Sequence, residues 1–125
     1  MTEVDVRQSS EQLVRRIAEA ALDKKAHDVV ALDMRGVVTY TDFFIVCTGN
    51  TERQTQSIED GIYQELKRGD ETQILPERVE GRTEARWILM DYGDCVVHIF
   101  TPAARDYYRL EMLWGEVPEL EVGAS

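Results

Sequence analysis

Two apolar runs around a Gly-Asp break constrain this chain more than any other feature: Trp87-Ile88-Leu89-Met90-Asp91-Tyr92, then Gly93-Asp94, then Cys95-Val96-Val97-His98-Ile99-Phe100. Each run is too short for a helix and too apolar for a loop. Both therefore read as strands, and Gly-Asp as a hairpin loop of the primed kind. Side chains alternate faces along a strand, so the loop position fixes the register. Tyr92 falls opposite Cys95, Met90 opposite Val97 and Ile88 opposite Ile99, and that face reads as core. The other face sets Trp87, Leu89 and Asp91 opposite Phe100, His98 and Val96, mixing large apolar groups with a carboxylate and an imidazole. Such a face is either covered by a helix, with Asp91 and His98 hydrogen-bonded, or partly open toward a partner. A tryptophan beside polar groups has the composition of an interface hot spot. A tryptophan simply packed at the sheet edge fits the same residues.

The rest of the chain must supply neighbours for this hairpin. Ser9-Ser10-Glu11-Gln12 fits a capping box ahead of a one-sided stripe (Leu13, Val14, Ile17, Ala18, Ala20, Ala21). This predicts a helix from Ser9 with Lys24 and Lys25 in its last turn. Asp28–Met34 and Phe43–Cys47 are short apolar runs, hence central strands. Thr51 and Gln54 repeat the capping-box spacing before Ile58, Ile62 and Leu66, with Gly69 placed to cap the end. Gln54, Gln56, Glu59, Asp60 and Glu65 cover the rest of that helix, which puts it on the surface. Residues 70–86 read as a polar connection with a short strand around Ile74-Leu75. Thr101-Pro102 is an N-cap with Pro at the first helical position. It opens a helix from Ala103 to Trp114, with Tyr107, Leu110 and Trp114 on one side and Gly115 at its end. Residues 1–8 are expected to be a flexible N-terminal extension, 9–115 a single domain, and 116–125 a loosely held acidic tail. The order α-β-β-α-(β)-β-β-α predicts an α/β fold: a mixed β-sheet flanked by helices.

At 125 residues the chain suits one domain and buries enough surface to fold without a staple. Its 14 Lys+Arg against 24 Asp+Glu give a net charge of −10. That balance argues against free DNA or RNA, whose binding is driven by cations, and against anionic membranes. It favours a basic protein partner, or no electrostatic partner at all. Cys47 and Cys95 lie far apart in apolar runs, with no Cys-x-x-Cys and no histidine at zinc-finger spacing, and read as buried reduced thiols. No signal-like segment and no run near the ~20 apolar residues of a membrane span is visible, so a soluble cytoplasmic protein is expected.

Residues for chemistry are sparse. Asp91, Asp94 and His98 are close in sequence, but Asp94 sits at the turn while the other two share a face. Two ligands are too few for a closed zinc site, and a hydrogen-bonded Asp91–His98 pair is the simpler expectation. Gly49-Asn50-Thr51 before a helix could cradle an anion, yet it lacks the P-loop signature and reads better as a cap. Ser9, Ser10 and Ser57 have no neighbouring base, and no nucleophile elbow is present. No catalytic residue, metal or cofactor is therefore expected. The rival reading is a metal-dependent nucleotide-transferring enzyme using Asp33, Asp42 or Asp91.

The motifs taken in order carry a resemblance. Asp28-Val29-Val30-Ala31-Leu32-Asp33, Thr41-Asp42-Phe43-Phe44-Ile45-Val46-Cys47-Thr48-Gly49-Asn50-Thr51-Glu52-Arg53-Gln54, Glu80-Gly81, the Trp87–Phe100 hairpin and Arg105-Asp106-Tyr107-Tyr108-Arg109-Leu110-Glu111-Met112-Leu113-Trp114 follow one another at a shared spacing. Over roughly residues 10–115 the chain closely resembles the ribosomal silencing factor family, also called Iojap. The resemblance implies a fold similar to a nucleotidyltransferase core without its catalytic residues, since Gly49 is followed by Asn50 rather than Ser. It implies binding to the large ribosomal subunit through its fourteenth protein, uL14, on the face that meets the small subunit. Occupying that face blocks an intersubunit bridge and subunit joining, and represses translation when nutrients are short. Homodimers are also implied, and if the same surface served dimerisation the two associations would compete. The contact surface the resemblance implies centres on Trp87. By position it extends to Leu89, Asp91, Tyr92 and Asp94 of the hairpin and to Arg105, Tyr108, Glu111 and Trp114 of the terminal helix.

Overall fold

The hairpin forms in the predicted register, Ile88 opposite Ile99 and Met90 opposite Val97, with β4 (Trp87–Asp91) antiparallel to β5 (Cys95–Phe100). The computed structural model describes residues 3–68 and 73–122. Gly93 turns the chain at φ +85°, where a side chain would be strained, and the turn is closed by Asp94 N donating to Tyr92 O at 3.0 Å. Beside β5 lies β2 (Phe43–Thr48) in parallel, and β1 (His27–Asp33) runs antiparallel to β2. The edges are β3 (Arg78–Glu80) and β6 (Glu119–Leu120), giving the order β3-β4-β5-β2-β1-β6. The sheet is mixed, as expected.

Two helices cover one face. α1 (Glu3–Asp23) and α2 (Glu52–Lys67) bury Val14, Ile17, Ile58, Ile62 and Leu66 against Phe43, Ile45, Cys47, Ile88, Met90, Val97 and Ile99. Burying each such side chain contributes about 1.5–3 kcal/mol, so this face holds most of the stability. Both cysteines are free and buried here, and burial pushes the Cys47 thiol up to about 12. Among the described residues the other face is covered by α3 (Pro102–Tyr108), α4 (Leu110–Leu113) and loops, through Ala104, Leu110, Met34, Trp114 and Val117.

Several expectations are corrected. α1 begins at Glu3, so residues 3–8 continue the helix instead of forming an extension, and Ser9 lies inside it. Ser10 is buried, and its hydroxyl donates to Asp42 Oδ2 at 2.9 Å, a tertiary link in place of a cap. The helix ends at Asp23, before both lysines. Lys25 takes φ +70°, and Ala26 N donates to Ala21 O in a Schellman-type close. The caps at Thr51 and Thr101 form as predicted. Asn50 N and Gln54 N are both hydrogen-bonded within the cap, which is the cap reading of Gly49-Asn50-Thr51. Gly69 lies outside the described residues. Glu59 is buried, not surface, with Arg82 Nε 3.1 Å from Oε1; burial raises its carboxyl pKa. The short strand forms at Arg78–Glu80 and not around Ile74-Leu75. The described part of the acidic tail, residues 116–122, is tied to the sheet: Ala31 and Leu32 pair with Leu120 and Glu119, and Asp33 N donates to Pro118 O at 2.8 Å.

The predicted terminal helix breaks at Arg109, which adopts φ +49° between α3 and α4. Arg105 explains the break. Its Nε and Nη2 donate to the two Glu111 carboxylate oxygens at 2.9 and 2.5 Å, while Nη1 donates to Asp28 O and Thr48 Oγ1 at 2.7 Å each. Residues six apart on an unbroken helix do not face each other, so this pairing requires the turn. Arg105→Ala should cost about 1–3 kcal/mol, because it removes the partner of the buried Thr48 hydroxyl and of Glu111. Urea unfolding checks the value, and an unchanged midpoint would show that the break holds without the latch.

Candidate functional site

β4 and β5 place Trp87, Leu89, Asp91, Val96, His98 and Phe100 on the thinly covered face. Trp87 is half-buried, its ring centroid 5.1 Å from Phe100, 5.9 Å from His98 and 4.7 Å from Tyr108. Its indole N–H donates to His98 Nδ1 at 3.1 Å. Phe44 sits beneath, edge-on to both His98 (4.9 Å) and Trp114 (5.2 Å). A groove of about 560 Å³ runs along Trp87 between Arg86, Ala104, Tyr107 and Tyr108. A second recess of about 350 Å³ opens beside His98, bordered by Tyr40, Phe44, Leu89, Asp91 and Val96.

Asp91 and His98 do not pair. Asp91 Oδ1 accepts from Gly93 N at 2.9 Å, and Oδ2 lies 3.7 Å from Arg78 Nε. His98 stands opposite Leu89, with Trp87 and Asp91 as diagonal neighbours. The long indole crosses that diagonal, and the short carboxylate serves its own turn. Burial holds the His98 imidazole down to about 4, so it is neutral in the native protein near neutral pH. An unfolded histidine titrates near its ordinary ~6.5, so below that value the unfolded chain binds more protons than the native one. Stability is therefore expected to fall as pH drops from about 6.5 toward 4, and His98→Gln should flatten that limb of a pH series of unfolding curves. A slope identical in both proteins would contradict the neutral-histidine assignment.

Of the nine expected contact residues, Trp87, Leu89, Asp91 and Tyr108 gather on this face, with Tyr108 49% exposed. Trp114 lies further along, half-buried on Phe44. Tyr92 is a correction: it is only 8% exposed and belongs to the opposite, helix-covered core, as period-two alternation with Ile88 and Met90 requires. Asp94 is exposed at the turn, and its carbonyl accepts from Asp42 N and Phe43 N at 3.1 Å. Arg105 and Glu111 are spent on each other in the latch. The residues that the site adds are His98, Phe44 and Tyr40. Register pointed to His98, but nothing local tied Phe44 or Tyr40 to the hairpin. The carboxylates of the enzymatic rival are each held elsewhere: Asp33 by Arg35, whose hydrogen bonds lower its pKa, Asp42 by Ser10, and Asp91 by its turn. Among the described residues no group of three potential metal ligands gathers, and no helix is long and apolar enough to cross a membrane.

Fold and site together define an α/β domain with two helices on one face of a mixed sheet and an aromatic, partly open surface on the other. The model of the family described as "Ribosomal silencing factor during starvation" matches residues 7–125. The chain belongs to the ribosomal silencing factor (RsfS) family. It is 45% identical over 115 residues to ribosomal silencing factor RsfS of Halalkalibacterium halodurans, covering 91% of this chain and 95% of that one. It is similar to the crystal structure of a Chromobacterium violaceum protein, with a TM-score of 0.79, 34% identity, and 92% and 94% of the two chains covered. A more distant relative is the mouse protein named "Mitochondrial assembly of ribosomal large subunit protein 1", 27% identical over 94 residues, which span 73% of this chain and 40% of that one.

Proposed function

We propose that this chain docks on the large ribosomal subunit through the Trp87 face, on the fourteenth large-subunit protein, and blocks an intersubunit bridge and subunit joining. Translation is thereby repressed, in the cytoplasm and without a chemical step. The observation that carries this reading is the half-buried Trp87, held by Phe100, His98 and Tyr108 on an otherwise thinly covered sheet face. A large aromatic side chain fixed beside two concave surfaces is the arrangement of a hot-spot anchor. Family membership and the large-subunit name of the mouse relative support the choice of target. The net charge of −10 suits a basic protein patch on an RNA-rich particle, since an acidic domain must stand clear of the phosphates. A homodimer through the same face would compete with this docking.

The test is capture of purified large subunits by the tagged full chain, with the isolated fourteenth protein as competitor. Capture that the isolated protein relieves supports the reading, and no capture refutes it. Charge steering makes a further demand: the association rate should fall as salt rises. Stopped-flow or surface measurements read this directly, and a salt-independent rate would remove the electrostatic part of the account.

A further inference from the structure

The Trp87 indole N–H can only donate, so His98 Nδ1 must accept, and the neutral ring carries its proton on Nε2. That Nε2 is buried and has no hydrogen-bond partner among the described residues, in a residue only 5% exposed. Buried donors are almost always satisfied, so an unmet one needs an explanation. Beside it lies the recess bordered by Tyr40, Phe44, Leu89, Asp91 and Val96. We propose that His98 Nε2–H is a specificity donor for the docked partner: an amide carbonyl of the partner polypeptide seats in this recess and accepts the hydrogen bond. This rests on the docking reading given above and names what that face recognises.

The chemistry of the recess selects the group. A cationic side chain offers no acceptor to an N–H donor. Arg78, the cation on this border, is already paired with Glu80 at 3.1 Å and with Asp91 at 3.7 Å, so a carboxylate would meet the Asp91 carboxylate beside a cation that is already neutralised. Phe44, Leu89 and Val96 make the walls largely apolar, where an uncharged carbonyl is the least costly polar group to bury. Nε2 is covered in the free chain, so a wall side chain must move to admit the carbonyl. Tyr40, 62% exposed, is the most exposed aromatic of the wall and has room to swing outward. Trp87 and His98 then act as one unit, because the indole that anchors the partner also fixes the tautomer that reads it. The imidazole stays neutral because of its burial, with Arg78 and Asp91 the charged groups that border the recess.

The test uses the full chain, purified large subunits and the isolated fourteenth ribosomal protein. His98→Asn leaves an acceptor for the Trp87 indole but removes the N–H at the Nε2 position. His98→Gln restores an N–H there. The Asn variant should bind large subunits about tenfold more weakly, and the Gln variant should recover part of that loss. In parallel, the wild-type ring is observed by nitrogen-15 NMR. The expected result is a proton on Nε2 in the free protein and a downfield move of that proton on adding the isolated partner. A proton on Nδ1, or a complex that forms with the Nε2 proton unmoved, overturns the inference even if the variants fail to fold. A wild-type chain that binds neither subunit nor isolated protein removes the docking reading, and this inference with it.

Discussion

Trp87→Ala should weaken binding to the large subunit by about 2–4 kcal/mol, at least roughly thirtyfold in affinity. The magnitude follows from what the ring touches. Trp87 is clamped by Phe100 and Tyr108 and hydrogen-bonded to His98, so its orientation is set before a partner arrives. An anchor ordered in advance loses little entropy on docking. Truncation also leaves His98 Nδ1 without its donor and opens the floor between the groove and the recess. Trp87→Phe separates these effects: it keeps most of the packing, loses only the N–H, and should fall between alanine and wild type. Thermal unfolding of both variants shows whether the chain remains folded. A folded Trp87→Ala protein with wild-type affinity would return this residue to a simple edge-packing role.

Gly81→Ala should cost at least about 3 kcal/mol of stability and disturb the same site from the rim of its groove. Gly81 has φ +81°, where a side chain costs roughly 1–2 kcal/mol. A Cβ there would also lie 2.1 Å from Trp87 O and 3.2 Å from Trp87 C, both backbone atoms. Backbone cannot swing aside as a side chain can, so the start of β4 must move, and Trp87 with it. The neighbouring loop leaves little slack: Ala85 is buried at φ +63°, and Thr55 Oγ1 donates to its carbonyl at 2.5 Å. Gly36 is the control, since its φ is +82° but nothing lies within 4 Å of an added Cβ. Gly36→Ala should show only the conformational cost. Equal losses at both positions, read from urea midpoints, would show that the close approach to Trp87 is unimportant.

The features visible in the sequence were those whose causes are local. The hairpin register depends on a Gly-Asp turn and period-two alternation within fourteen consecutive residues, and it formed as read. The Thr51 and Thr101 caps likewise depend on residues three apart. What the sequence concealed was set from a distance. Tyr107, Leu110 and Trp114 keep helical spacing across Arg109, yet the break there is fixed by Arg105 reaching Asp28 and Thr48. Ser10 has the chemistry of a cap but serves Asp42, 32 residues away. The tail shows two residues of strand only because β1 offers an unpaired edge. At the site, alternation placed Trp87, Leu89 and Asp91 on one face and also excluded Tyr92 from it. The Trp87–His98 bond in place of Asp91–His98 depended on side-chain reach across a diagonal, which spacing alone does not decide.

If docking acts sterically, a chain of 125 residues seated on the large subunit should prevent the small subunit from joining. Sedimentation of separated subunits, mixed with increasing amounts of the purified chain under joining conditions, reads this directly. Joined ribosomes should decline while free subunits persist, with the chain co-sedimenting on the large one, and Trp87→Ala at the same concentration should restore joining. Undiminished joining with the chain bound to the large subunit would contradict it.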